Sequence, residues 1–448
     1  MVKASRAAER VMVTCDGGGV ANHAGAVLVA ELADRVGLTA LLGEAMSSTR
    51  QRDKGHDPGV VLTQLAVALV DGGECVSDLR VLRDQPDLFG QVASTSTASR
   101  TLYSIDAGVL DDIAKARAAA RAAAWAAGMR PAQIVLDFDA TLVTSHSEKE
   151  QAAPTYKHGF GFSPLLCFLD DTGEALAGML RPGNANPGRA DDHVALLDAA
   201  LAQLPVPTLA VDPGQGQAML ARSDSAGCSH AFVDALRQRG VEFSIGFPLS
   251  EDIRRAILAL PKRRWREAMD QSGHVRESAW VAELTESVDL SGWPAGTRLI
   301  VRKEEPHPGA QFNLFDIDGY RYQTFICDNA DADIAYLEAR HRGHARVEER
   351  IKDAKDCGLN KFPCYRFAHN QAWLAVVLIA CDLLAWTKGL CLDSELAVAA
   401  PKRLRYCLLH TAASFVRHAR HLILRLQQNW PWTAALTAAF AQLRATLT

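Results

Sequence analysis

Residues 134–143 read IVLDFDATLV. Ile134, Val135 and Leu136 open a run of the apolar kind that makes a buried strand. Asp137 and Asp139 interrupt it at i and i+2. Successive side chains on a strand point to opposite faces, so the two carboxylates share one face. Like charges side by side on a buried face either titrate away or require a cation. The stretch predicts an α/β sheet built around a charged strand, and it asks what compensates that charge.

On either side of this strand the pattern divides into five segments. Residues 1–130 read as an N-terminal helical domain. GVVLTQLAVALVDGG and CVSDLRVLRD suggest helices joined at Gly72-Gly73, STSTASRTL another helix start, and AKARAAARAAAWAAG a strong helix ending near Gly128, with Pro131 beyond. A helical bundle is the first reading and a helix-turn-helix the second. Across 131–246, IVLDFDATLV, KHGFGFSPLLCFLD and EALAGMLRPG form an antiparallel meander. A helix (DDHVALLDAALAQL), a strand around TLAVD, a strand into Asp224, a helix (AFVDALRQRG) and a strand (VEFSIGF) follow, which means a sheet with covered faces. Residues 247–328 are strand-like, and helices resume across 329–395. Residues 396–448 form a basic region with no Asp or Glu and seven Lys or Arg. SFVRHARHLILRL carries apolar residues at helical spacing, so Phe415, Leu422 and Leu424 would be buried while Arg417, Arg420 and Arg425 share another side.

Composition bounds the function classes. The chain has 448 residues, 48% hydrophobic content and a net charge of −4, which reads as globular with a large core. No run of 18 apolar residues occurs, and MVKASRAAER lacks an apolar centre, so neither a signal peptide nor a membrane span is expected. Ten cysteines without a C-x-x-C pair argue against zinc ribbons and disulfide scaffolds and for a reducing cytoplasm. CDGGGVANHAG lacks the Gly-Lys-Ser/Thr ending of a phosphate loop and reads as a turn; KRRWR at 262–266 reads as a surface face; His23, His146 and His158 show no ligand spacing.

Three acidic positions matter together: the Asp137/Asp139 strand, Asp224 in MLARSDSAG, and Glu348 in YLEARHRGHARVEERIKDAK. Glu348 and Lys355 are seven apart, on one helix face two turns apart. Carboxylates from two strands and a helix suit hard cations such as Mg²⁺ or Mn²⁺. Two such ions activate an attacking oxygen and stabilise a leaving one in phosphoryl transfer. Singly, each residue has a plainer reading: a strand-end Asp caps a turn, and Glu348 with Lys352 is an ordinary i,i+4 pair.

At these residues the chain resembles the DDE transposases of bacterial insertion sequences, most closely insertion-sequence family 1380. LDFDATLV with SHSEKEQAAPTYKHGFGFSPLL resembles the first acidic strand and its hairpin. ARSDSAGCSHAFVDALRQRGVEFSIGF resembles the second segment, and HRGHARVEERIKDAKDCGL with NQAWLAVVLIACDLLAW the third. The resemblance implies an α/β RNase H-like core, divided as 131–246 and 329–395 around an inserted mainly-β domain at 247–328, with a helical C-terminal region at 396–448. It implies Asp139, Asp224 and Glu348 as catalytic metal ligands for two Mg²⁺ or Mn²⁺ ions, with Asp137 auxiliary. Asp139 takes the first place because it directly precedes Ala140-Thr141. The wider group carries a Tyr-x2-Arg-x3-Glu-x6-Lys signature. Glu348 and Lys355 satisfy its last interval, His344 occupies the Arg slot, and Tyr336 lies too far upstream. Tyr336, Arg340, Arg342, Arg346, Lys352 and Lys355 are expected to contact DNA, joined by Arg417, Arg420 and Arg425. The implied partners are double-stranded DNA, as terminal inverted repeats and target, and a second copy of the chain in the DNA complex. The implied location is the bacterial cytoplasm, on the nucleoid when DNA is bound.

Two other readings remain open at this point. Asp-x-Asp-x-Thr-Leu after an apolar run also resembles the haloacid dehalogenase-like phosphatases, in which Asp137 would be the covalent nucleophile and Asp139 the acid/base. About 130 residues precede it here, where that fold opens with the motif. The third reading is a transposase-derived DNA-binding protein without catalysis.

Overall fold

The computed structural model describes residues 16, 18–50, 52, 54–205, 219–306, 318–331, 333–418 and 421–447. Its strands in chain order are β1 (Val20–Ala21), β2 (Val135–Ala140), β3 (Val143–Thr144), β4 (Ala153–Pro154), β5 (Phe160–Phe162), β6 (Leu165–Leu169), β7 (Ala175–Met179), β8 (Met219–Ser223), β9 (Val241–Phe247), β10 (Arg266–Met269), β11 (Val275–Glu283), β12 (Arg298–Glu304), β13 (Arg321–Cys327), β14 (Ala413–His418) and β15 (His421–Leu426). The charged strand is β2, inside a nine-stranded sheet ordered β10-β11-β12-β13-β9-β8-β2-β6-β7. β2 and β8 are parallel, as are β8 and β9. The meander β2-β6-β7 is antiparallel, as its turn residues predict. The strand expected around TLAVD at 208–212 lies outside the described residues.

The two faces of β2 have different covers. Phe138 is fully buried and meets Phe232 of the helix His230–Gln238 edge to face at 5.4 Å. That helix packs beside Ala190–Leu201. On the opposite face, Asp139 stands across from Leu166, and Leu166 across from Gly178, which lies against Leu378 of the helix Phe367–Cys391. This 25-residue helix is, among the described residues, the one long and apolar enough to cross a membrane, and 83% of its most apolar window is buried inside the protein. It is the central core helix.

The strands from 266 to 327 do not form a sheet of their own. β13 pairs with β9, so β10–β13 extend the central sheet by four antiparallel strands. A separate apolar cluster, with Val281, Ile300 and Phe325 against Ile334 and Leu337, binds the helix Ile334–Arg342 to this extension. Three of the N-terminal helices follow the sequence expectation. Pro58–Val70 starts with Asp57 accepting from the Gly59 N–H at 2.9 Å and Pro58 in its first turn, the preferred chemistry for a helix start. Thr95–Tyr103 is capped by Ser94, and Ala107–Ala124 runs into a last turn that ends at Gly128, whose φ of 119° suits glycine. CVSDLRVLRD makes two short helical turns, Val76–Leu79 and Arg80–Arg83, in place of one longer helix.

The basic C-terminal region departs from expectation. SFVRHARHLILRL is a hairpin, β14 and β15, with β1 added at its edge. Arg417 stands opposite Leu422 and Arg425 opposite Ser414. Opposed residues share a face and alternate residues change it, so Arg417 lies with Phe415 and Leu424 while Arg425 lies on the other face. The expected one-sided basic helix face is absent. The β-branched and aromatic content of the run fits a strand as well as its spacing fits a helix. Arg420 lies outside the described residues.

Candidate active site

β2 and β8 run parallel with Asp137 beside Arg222 and Phe138 beside Ser223. One step further, the same register carries Asp139 toward Asp224, the residue at which β8 ends. Asp224 caps a short turn, Ser225–Gly227, by accepting from the Ala226 N–H at 3.0 Å. Glu348 comes from the first turn of the helix Arg346–Ala354, and Lys355 follows that helix directly.

The electrostatics bring these four groups together. Burial, then the charge of Asp224, pushes the Asp139 carboxyl up to about 6; His344 and the Ala140 N–H pull it down, and Glu348 adds to the rise. Burial lowers the Lys355 ammonium, with the charge of Asp139 partly restoring it. Asp224 and Glu348 are exposed and Asp139 is half-buried. None of the three carboxylates has a salt-bridge partner among the described residues. They are also not contracted into a closed cluster, since among the described residues the one group of such donor atoms lying within 4.8 Å of one another is elsewhere. An open set of unpaired, mutually repelling oxygen donors fits Mg²⁺ or Mn²⁺, which take carboxylates and retain waters.

Asp137 has another role. It is 1% exposed, and its carboxylate accepts from Arg222 Nε at 2.8 Å and Nη2 at 2.7 Å and faces His344 Nδ1 at 2.9 Å. Its charge is offset by Arg222 and its oxygens are engaged by Arg222 and His344, unlike those of Asp139. The same burial removes it as the nucleophile of a phosphatase, which must reach its substrate.

Around this pair lies a network that the sequence reading missed. Arg222 also binds Asp170 at 2.7 Å, and its Nη1 donates to the Arg340 carbonyl at 2.8 Å. Asp170 in turn holds Arg346 through both oxygens. Burial alone would raise the Asp170 carboxyl; the two arginines outweigh it and hold it low. The network ties the Glu348 helix to β2, β6 and β8. Its signal in the sequence was Arg222, two residues before Asp224 and so on the same strand face.

The other expected DNA contacts separate into two groups. Arg346 is committed to Asp170 and Gln271. Arg342 donates to the Met269 carbonyl. Arg340 pairs with Glu242 at 3.6 Å, its guanidinium lying 5.8 Å from the Tyr336 ring. These arginines hold structure in the protein as described. Tyr336, Lys352 and Arg425 are exposed, and Arg417 is exposed with Asp87 at 2.7 Å.

Comparison with known proteins gives the family. The family model for the transposase DDE domain, group 1, matches residues 3–448. No curated protein sequence matches. Among solved structures, the piggyBac transposase synaptic complex with hairpin DNA is similar at a TM-score of 0.42 and 10% identity, over 86% of this chain and 80% of that one. The family model covers almost every residue, including Asp139, Asp224, Glu348 and Lys355, and the chain therefore belongs to the group 1 DDE transposases.

Proposed function

We propose that this transposase cleaves DNA at the ends of an insertion sequence resembling family 1380 of bacteria and joins them to a target, with Asp139, Asp224 and Glu348 as its catalytic carboxylates. The observation that carries this is the parallel β2–β8 register that brings Asp139 and Asp224 together at the strand ends, with the Asp139 carboxyl raised by burial and then by Asp224 and Glu348, and Lys355 close by. The strand order β7-β6-β2-β8-β9, with only β2-β8 and β8-β9 parallel, supports an RNase H-like core. Asp139, Asp224 and Glu348 would hold two Mg²⁺ or Mn²⁺ ions. When bound, these supply charge that favours an attacking oxygen at neutral pH and offsets the charge on the leaving one.

The residues divide the remaining work. Lys355 stands beside Asp139 as a donor to a phosphate oxygen. Arg222, Asp137, Asp170 and Arg346 keep the Glu348 helix in place. In the first step water attacks phosphorus and loses a proton to solvent, the bond to the 3′ oxygen breaks, and that oxygen takes a proton from solvent to become a 3′-hydroxyl. That hydroxyl then attacks a second phosphodiester, on the opposite strand as a hairpin or in target DNA, and one new bond replaces one old bond. The duplex partner, the second copy of the chain at the paired ends, recognition of the end sequence by the N-terminal helices and a cytoplasmic location belong to the same proposal.

The test uses linear DNA carrying one element end, with Mg²⁺ or a chelator. Asp139→Asn, Asp224→Asn and Glu348→Gln should each reduce cleavage on the order of 10³-fold or more while binding persists. A native chain that binds the end and never cuts it would favour the reading as a DNA-binding protein without catalysis.

A further inference from the structure

We propose that His23, Asp71 and His410 form a second metal site, separate from the catalytic carboxylates, for a borderline divalent cation such as Zn²⁺. The three residues are scattered in sequence and meet in the fold. His23 follows β1, Asp71 ends the helix Pro58–Val70, and His410 follows the turn Arg405–Leu409 just before β14. His23 Nδ1 lies 2.7 Å from Asp71 Oδ2, and His410 Nε2 lies 3.2 Å from Asp71 Oδ1. All three donor atoms fall within 4.8 Å of one another, and among the described residues this is the one such group of His, Cys, Asp or Glu.

A plain pair of imidazoles on one carboxylate leaves something unexplained. The Asp71 side chain is 3% exposed, and its Oδ1 has no hydrogen bond of good geometry. His410 Nε2 lies 3.0 Å from the Asp71 carbonyl and 3.2 Å from Oδ1, so one N–H is shared between two acceptors. A buried carboxylate oxygen that shares its single donor with a carbonyl is weakly satisfied, which is costly. The two imidazole rings also crowd each other, with centroids 4.1 Å apart. One dication would engage this oxygen and both rings at once. Ligand atoms about 2.0–2.2 Å from a tetrahedral ion stand roughly 3.3 Å from one another, so the 3.2 Å between His410 Nε2 and Asp71 Oδ1 already suits two ligands of one ion.

The surroundings are built for a cation. Asp71 terminates a helix, where the backbone dipole presents partial negative charge. Arg405 already donates to the carbonyls of Leu69 and Val70 in that last turn. Two backbone hydrogen bonds, Ala24 N to Thr411 O and Gly25 N to Leu409 O, both 3.1 Å, fix the histidine-bearing segments against each other. Their approach is so close that a Cβ on Gly25 would sit 2.1 Å from the Leu408 carbonyl oxygen. His23 is held at φ 56°, a left-handed conformation that a non-glycine residue adopts where its surroundings require it. Two imidazole nitrogens and one carboxylate oxygen favour Zn²⁺, Co²⁺ or Ni²⁺ over Mg²⁺. His23 and His410 remain partly exposed, which leaves an entry path and room for water as a further ligand. The ion would pin β1 and the root of the β14–β15 hairpin to the helical region.

The experiment is metal counting on the full chain, stripped by chelation and dialysed against Zn²⁺. It is run in native protein and in Asp139→Asn/Asp224→Asn/Glu348→Gln, so that loading does not depend on the catalytic site. One Zn²⁺ per chain is expected in both. His23→Ala and His410→Ala should each weaken binding by more than about 100-fold, since even outer partners of metal ligands are worth roughly 10–100-fold. Zn²⁺ should raise the melting temperature of native protein and not of these variants. Because an alanine variant could misfold, X-ray absorption on the native Zn²⁺ complex reads the ligands directly, and nitrogen and oxygen neighbours with imidazole scattering are expected. No retained Zn²⁺, a sulfur shell from the cysteines, or undiminished binding in both folded histidine variants would each overturn the proposal.

Discussion

Asp137 and Asp139 lie on one face of one strand, and neighbours alone separate their fates. Arg222 and His344 claim Asp137, while burial and the charges of Asp224 and Glu348 act against the Asp139 carboxylate, and His344 and the Ala140 N–H favour it. Asparagine at the two positions should therefore act oppositely on stability. Asp137→Asn breaks a buried ion pair and should cost about 3–5 kcal/mol, read as a lowered urea midpoint. Asp139→Asn removes repulsion and should leave the metal-free midpoint unchanged or higher while ending cleavage. The pH dependence follows from the same shift. Folded Asp139 keeps its proton to about pH 6, above its ordinary value of 3.8, so it binds protons more tightly than the unfolded chain does. Its contribution to stability is complete below about pH 4 and is lost as pH rises through 6, a change of about 2–3 kcal/mol. Thermal melts of chelated protein from pH 4 to 7 should show this slope in native protein and a flatter one in Asp139→Asn. Mg²⁺ should move the native transition to lower pH, because the ion competes with the proton.

The helices around Glu348 owe their seat to a close approach. A Cβ on Gly343 would fall 2.5 Å from Arg222 Nη1, the atom that donates to the Arg340 carbonyl. Gly343→Ala should force these helices outward, costing about 1–3 kcal/mol in a denaturant titration and slowing cleavage with the carboxylates intact. At this scale the sequence was partly legible. The meander, the acid-bearing strand and the Ala-rich helix were written in period and turn chemistry. The convergence of Asp139 and Asp224 depends on a parallel pairing between strands some 80 residues apart, which local pattern does not encode; the family resemblance supplied it. Arg222 and Asp170 went unread because a salt bridge is a property of register. The C-terminal hairpin was misread because Phe415, Val416, Leu422, Ile423 and Leu424 satisfy helical spacing and strand preference together, and pairing with β1 decides between them. His23 and His410 show no ligand spacing in sequence because 387 positions separate them.

One continuous apolar core joins the N-terminal helices, the sheet and the C-terminal helix, from Leu28 to Leu443. At its centre Asp382, on the helix Phe367–Cys391, binds Arg117 and Arg121 of the Ala-rich helix at 2.8 Å each. Glu174 joins them through Arg121, Trp125 and Trp386. Every member is buried, so Asp382→Asn should leave two buried guanidinium groups short of charge and cost about 3–5 kcal/mol, measured as a drop in melting temperature. The central helix also sets a timetable. During synthesis the acid-bearing strand leaves the ribosome roughly 250 residues before this helix is complete, a wait of about 12–50 s at 5–20 residues per second. Until then one face of the sheet lacks its cover. A message cut short before residue 367 should yield a chaperone client or a protease substrate and not a soluble DNA-binding fragment. Broken copies of the gene would then produce few fragments able to occupy DNA ends and interfere with the intact enzyme.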